Sequence, residues 1–307
     1  MHWFPLPPLT SPAAAMPAGL VWAALRHSAR VCAATNALGF AVTAITQSHH
    51  ITDLTGTAAF AASALATRAA AAKALGEPLL APTRGALLAG CVSFWALRLG
   101  GYLFYRVIQV GKDARLDQFF QQPGEPLLTG PSNYPLRLAF FWTMQGLWAW
   151  ACLLPVTASH ALSRELPAAA RRLSLGPSLL AGLALFGGGL LLESVADWQK
   201  FKWKSDPANA GRFMGPVGLF AWSRHPNYFG EMCVWAGLFV MAGPTVWRRC
   251  PWTIASPLFT FALLRFLSGV PPLERSYRER YGGQPAYEAY VASTNLLLPW
   301  PPRDKFP

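Results

Sequence analysis

Ser223-Arg224-His225-Pro226-Asn227-Tyr228-Phe229-Gly230-Glu231 runs without a break into Met232-Cys233-Val234-Trp235-Ala236-Gly237-Leu238-Phe239-Val240. A guanidinium, an imidazole, an amide, a phenol and a carboxylate therefore gather at the mouth of a segment apolar enough to enter a membrane. Such groups are costly beside lipid unless they bind something charged. Pro226 disfavours a helical residue before it and suits the first turn of a helix. A helix is thus expected to start near Asn227, with its positive dipole end beside Arg224 and His225, an arrangement that suits a phosphate. Glu231, four residues after Asn227, shares its face.

Working outward, a basic run precedes this segment: Lys200, Lys202, Lys204 and Arg212. Asp197 and Lys204 are seven residues apart, which places them on one helical face if the preceding helix continues through them. One could accept from a ribose or amide and the other bind phosphate. A solvated basic extension that anchors the helix end by snorkelling is the alternative.

The composition sets the class. Of 307 residues, 53% are hydrophobic and 13% charged, against about 25% charged in a soluble domain. Thirteen Trp and eight Tyr suit membrane interfaces. The formal charge of +12 is scattered between apolar blocks rather than gathered on one face. Retention of cytosolic loops and attraction of phosphate explain it better than nucleic acid, which is not expected as a partner. The five cysteines (Cys32, Cys91, Cys152, Cys233, Cys250) form no metal-ligand spacing or disulfide framework, so neither a metal nor a disulfide is expected.

A spanning helix needs about 20 mostly apolar residues. The chain offers about seven candidates, at roughly 31–46, 54–72, 86–110, 136–158, 177–195, 228–242 and 252–269. The expected fold is an all-α, multi-pass membrane helical bundle with a short C-terminal amphipathic helix. Residues 1–30 are expected to be an irregular N-terminal segment, and 31–307 one membrane domain. With the C-terminus cytosolic, the Lys/Arg bias puts Arg106, Lys112, Arg115, the Lys200 to Arg212 run, Arg224, Arg275, Arg278 and Arg280 on the cytosolic side. Arg68, Lys73, Arg84, Arg164, Arg171, Arg172, Arg248 and Arg249 fall on the other.

Several further side chains interrupt apolar spans. Arg98, Arg106, Gln145 and Arg265 are functional candidates on that ground. Asp113 and Arg115 read as a solvated ion pair. The stretch from Pro271 to Tyr281 is an interfacial helix, or a lid contributing Arg275 and Tyr281. Gly187-Gly188-Gly189 lies mid-span and reads as close helix packing. No G-x-G-x-x-G joins a strand to a helix, so a nucleotide would have to be held by side chains between helices.

Trp95-Ala96-Leu97-Arg98-Leu99, Gln145-Gly146-Leu147-Trp148, Asp197-Trp198-Gln199-Lys200-Phe201, the Trp222 to Glu231 segment, Pro272-Leu273-Glu274 and Leu298-Pro299-Trp300-Pro301-Pro302 resemble the DUF1295 branch of the steroid 5-alpha-reductase family. The resemblance covers roughly 53–302, and Asn227-Tyr228-Phe229-Gly230-Glu231 is its most specific part. It implies a seven-helix membrane reductase that uses NADPH to reduce a carbon–carbon double bond conjugated to a ketone, in a lipid-soluble small molecule. It further implies that Asp197, Lys204, Arg224, His225, Asn227, Tyr228 and Glu231 lie at the NADPH site. Arg98, Arg106, Gln145 and Arg275 match more loosely, and the endoplasmic reticulum is the implied membrane.

Lys204 stands where the steroid enzymes carry Arg, which keeps the charge and loses the planar fork. The Glu and Tyr that polarise the carbonyl in those enzymes have no assigned counterpart. Asp53 and Tyr102 are the nearest polar groups, and the catalytic residues stay open. Arg224-His225-Pro226-x-Tyr228 also resembles membrane isoprenylcysteine-type methyltransferases, which implies S-adenosylmethionine as an alternative cofactor. A non-catalytic member of the fold is the second alternative.

Overall fold

A computed structural model describes residues 18–110, 116, 118–121 and 124–301. Met1 to Pro17, Lys112, Asp113, Arg115 and Pro302 lie outside the described residues. Helix makes up 76% of the structure and there is no strand among the described residues. The long helices are α1 (Ala18–Thr46), α2 (Thr52–Leu75), α3 (Arg84–Val110), α4 (Leu136–Cys152), α5 (Leu154–Ser163) and, after the short α6 (Ala168–Arg171), α7 (Pro177–Ser205). Then come α8 (Pro226–Ala242), α9 (Pro244–Arg249), α10 (Ala255–Ala262), α11 (Val270–Tyr281) and α12 (Pro285–Ser293).

Four helical stretches are long and apolar enough to cross a membrane: Gly19–Thr46, Arg84–Gln109, Pro177–Ser205 and Pro251–Tyr281. A fifth results if α4 and α5, bent by 50° at Leu153, count as one. Pro155, in the first turn of α5, explains the break, since its ring cannot continue the hydrogen-bond ladder. The two other expected spans are present as helices. Helix α8 has only 17 residues, and α2 carries Asp53, Arg68 and Lys73 among its alanines. The α2 segment packs against α1, α3 and α5.

The N-terminal boundary differs from the expectation. Helix α1 starts at Ala18, so residues 18–30 are helical rather than irregular. Arg26 and Arg30 sit exposed, while Ser28, between them in sequence, turns inward and bonds Ser63 Oγ at 2.8 Å. Charges that break an apolar run in sequence need not break a helix when its period carries them outward.

The core is aromatic where α2, α3, α4 and α8 meet. Phe60 lies edge-on to Trp95 (4.9 Å) and Trp148 (4.8 Å), and Trp95 lies edge-on to Trp235 (5.0 Å). Helices α7 and α8 meet along a glycine seam. A Cβ at Gly189 would stand 2.6 Å from Gly230 O, and one at Gly237 would stand 2.5 Å from Phe186 N. The backbones are thus in direct contact, and this holds the C-terminal half of α7 against the start of α8. Of the Gly187-Gly188-Gly189 run, only Gly189 serves packing; a methyl group added at either of the other two would meet nothing within 4 Å.

Candidate functional site

Helix α8 begins at Pro226, one residue before the expected start, with His225 as the residue ahead of it. Helix α7 continues to Ser205, so Asp197 and Lys204 do ride on one helix. The close α7–α8 contact then brings the two quoted segments together. Asn227 Nδ2 donates to Asp197 Oδ1 at 3.2 Å. From α3, Arg98 reaches both acids of α7, donating to Asp197 Oδ2 at 2.9 Å and to Glu193 Oε1 at 2.7 Å. Tyr102, one turn after Arg98, donates its hydroxyl to the Asp197 carbonyl at 3.1 Å.

Glu231 goes deeper. It is buried and accepts from the Trp95 and Trp235 indoles at 2.9 and 2.7 Å. Arg98 therefore faces two acids directly, with a third carboxyl neighbouring Glu193. Charge-assisted bonds to a planar guanidinium fix this geometry, and the low dielectric of the bundle strengthens them.

A second cluster sits beside the first. Arg224 pairs with Glu274 of α11, and His225 Nε2 meets the other oxygen of Glu274 at 2.7 Å. The His225 ring stacks on Tyr228, with centroids 5.5 Å apart and planes within 10°. The C-terminal segment straps this loop. Arg224 N donates to Asn295 O at 2.8 Å, His225 N to Leu296 O at 3.1 Å, and Ser223 Oγ to Leu297 O at 2.7 Å. Tyr290 of α12 donates its hydroxyl to Phe220 O at 2.9 Å. The polar loop is thus built from three separate parts of the chain.

The remaining expected residues are less central. Arg106 pairs with Asp53 at 3.8 Å. Gln145 packs against Gly56 of α2, where a Cβ would collide with its amide. Lys204 is exposed at the outer end of α7, and Arg275 is exposed on the outer face of α11. Tyr281 OH donates to Arg212 O at 3.2 Å, so α11 does touch the loop after α7. Arg265, in a π-helical turn (Leu263–Leu267), packs its guanidinium over the Phe266 ring, 5.0 Å from the centroid.

Sequence reasoning missed Glu193 and Glu274. Glu193 was findable, since it lies one helical turn before Asp197 on the same face. Glu274 was visible only as part of a quoted motif. Its neighbour Arg275 stands out in the sequence instead, because charge alone does not say which of two adjacent residues on a helix faces inward.

The strap carries a pH signature. Burial pushes the His225 imidazole below its usual range; the Glu274 bond opposes this, and the positive Lys200 and Arg224 reinforce it. Folding thus disfavours protonation of His225, while an unfolded chain takes up the proton below about pH 6.5. The unfolded state binds more protons as pH falls, so this contribution to stability is present above that pH and lost below it. The thermal midpoint of detergent-solubilised protein is expected to drop more steeply from pH 7.5 to 5.5 in the wild type than in His225→Gln. Parallel curves would remove the assignment.

Comparison with known proteins places this geometry in a family. A family model described as a protein of unknown function, DUF1295, matches residues 39–294. A stretch of 135 residues is 27% identical to an uncharacterized protein of Schizosaccharomyces pombe, covering 38% of this chain and 38% of that protein's length. No solved structure matches the chain. With most of its length matched by that family model, the chain belongs to the DUF1295 family.

Proposed function

We propose that this chain is a membrane oxidoreductase that transfers a hydride from NADPH to the carbon–carbon double bond of an enone lipid, in a bundle where α2 and α8 complete seven spans. The observation that supports this reading best is the meeting of Arg98, Asp197 and Asn227 beside the strapped Arg224–His225 loop. These residues come from α3, α7, the start of α8 and the loop just before it, which the C-terminal segment straps. The donor set fits a dinucleotide. Arg224 Nε is buried without a hydrogen-bond partner among the described residues, and Lys204 is exposed two turns beyond Asp197. Bound NADPH would supply the hydride.

In this reading the chain binds and orients. Asp197 and Asn227 accept from and donate to ribose or amide groups, while Arg224 and Lys204 neutralise phosphate. Helix α8 points its positive end at the same place. A lipid-soluble substrate has an apolar seat in the groove between α1 and α4, a space of about 470 Å³ lined by Ala33, Asn36, Phe40, Trp142 and Gly146 among others. Asn36 Oδ1 is buried there with no hydrogen-bond partner among the described residues, a polar atom available to orient a ligand. The endoplasmic reticulum as its membrane rests on the family resemblance alone.

A methyltransferase reading wants a free carboxylate for the sulfonium cation. Glu231, the acid that would serve, is already engaged by two indole donors, which weighs against it.

The test is a titration of purified protein with NADPH. Arg224→Ala is expected to weaken binding about ten- to hundredfold, the value of a hydrogen bond to a charged group, and Asn227→Ala about two- to tenfold, the value of a neutral one. Equal affinity in wild type and both variants overturns the reading. Binding of S-adenosylmethionine without NADPH would replace it with the methyltransferase.

A further inference from the structure

Helix α8 carries the chain from Asn227 at one end of the bundle to Met241 about 20 Å away. A separate cavity, of about 130 Å³ and lined by charged and hydroxyl side chains, lies at that far end, among the end of α2, the start of α3, α5, α6 and the α8–α9 junction. Among the described residues three arginines line it, Arg68, Arg84 and Arg171, with Glu77 as the one acid. None of these belongs to the clusters described above, and the sequence bias places all three arginines on the side opposite the Arg224 loop.

Most of what holds these guanidinium groups is neutral. Arg68, only 2% exposed, donates to Leu79 O at 3.0 Å and Pro78 O at 3.2 Å. Arg84 donates to Met241 O at 2.7 Å and Ser178 Oγ at 3.3 Å. Gly243, at φ 85°, makes that approach available, because a Cβ there would lie 2.4 Å from Arg84 Nη1. Arg171 donates to Leu166 O at 2.5 Å and to Glu77 Oε1 at 2.8 Å, and Arg68 lies 3.8 Å from Glu77 Oε2. Carbonyls and hydroxyls orient a guanidinium without cancelling its charge. Three positive groups against one negative leave an excess of two at the cavity. Thr83, Ser159, Ser163 and Thr245 add hydroxyls to the lining. Buried charge without a counter-charge is costly, and donors fixed around a cavity are what an anion requires.

We propose that this cavity binds a tetrahedral oxyanion, a phosphate group, carried by an anionic phospholipid head or present as free inorganic phosphate. Arg84 and Arg171 donate to its oxygens, and Arg68 adds positive charge. A bound phosphate would tie the α2–α3 turn to the α8–α9 turn. The site is thus one of structural or regulatory ligation, separate from the Arg98 cluster.

The experiment uses the full chain purified in a zwitterionic detergent. Thermal midpoints are compared in sodium phosphate and in sodium chloride of equal ionic strength. They are then compared in nanodiscs of phosphatidylcholine with and without phosphatidylglycerol. A rise with inorganic phosphate identifies the free ion; a rise confined to phosphatidylglycerol discs identifies a lipid head. Arg84→Gln is expected to weaken binding about ten- to hundredfold and to abolish the rise. Glu77→Gln keeps an acceptor for Arg171 while removing the competing charge, and is expected to enlarge it. The proposal is overturned by a wild type that responds to neither ligand, by an undiminished response in Arg84→Gln, or by an unchanged one in Glu77→Gln. The last comparison stands even if Arg84→Gln fails to fold.

Discussion

Arg98→Leu is expected to destabilise the purified protein by about 3–5 kcal/mol, the cost of leaving a buried ion pair without one partner. Glu193 and Asp197 retain only 5% and 10% of their side-chain exposure, so water cannot replace the lost guanidinium. Arg98→Lys restores one charge but not the fork that reaches both carboxylates, and should fall between. The check is equilibrium unfolding of the purified protein in mixed micelles. Glu193→Gln and Asp197→Asn, added to Arg98→Leu, should recover part of the loss by removing the charges left unpaired. Full stability in Arg98→Leu would show that these ion pairs do not hold the fold together.

The glycine seam gives the second large effect, and it separates neighbours in sequence. A methyl group at Gly189 meets Gly230 O at 2.6 Å, Cys233 Cβ at 2.7 Å and Val234 N at 2.9 Å. Two of these are backbone atoms of α8, which move only if the whole helix moves. Gly189→Ala is therefore expected at the upper end of overpacking costs, about 3 kcal/mol, and is expected to pull Asn227 away from Asp197. Gly188→Ala meets nothing within 4 Å and gains helix propensity, so it should be neutral or stabilising by up to about 1 kcal/mol. Thermal midpoints of the two variants, measured side by side, decide the matter. If they shift equally, the helices are not in backbone contact.

These two predictions also mark how far the residues could be read before folding. The helix start at Pro226 was legible because proline acts locally, on its own dihedral and the residue before it. The shared face of Asp197 and Lys204 was legible because helical period is local too. Gly189 could not be singled out within its run, because which glycine meets α8 depends on how α7 is rotated about its axis. The same ignorance of rotation favoured exposed Arg275 over Glu274, and gave no hint that Glu231 would turn toward two indoles. At the N-terminus, Arg26 and Arg30 interrupt an apolar run in sequence, yet both project outward from a continuous helix.

Composition and period, taken alone, established a helical membrane protein with a polar segment at the mouth of one helix. Those are properties of each segment in its own solvent, and hydrophobicity and backbone satisfaction in lipid suffice to set them. Pairing was another matter. Which acid answers Arg98, which carboxylate holds Arg224 and His225, and why three arginines share one cavity at the far end all depend on contacts between residues far apart in the chain. A charge announces that it needs a partner; only the packed bundle, by fixing rotation and depth, selects one.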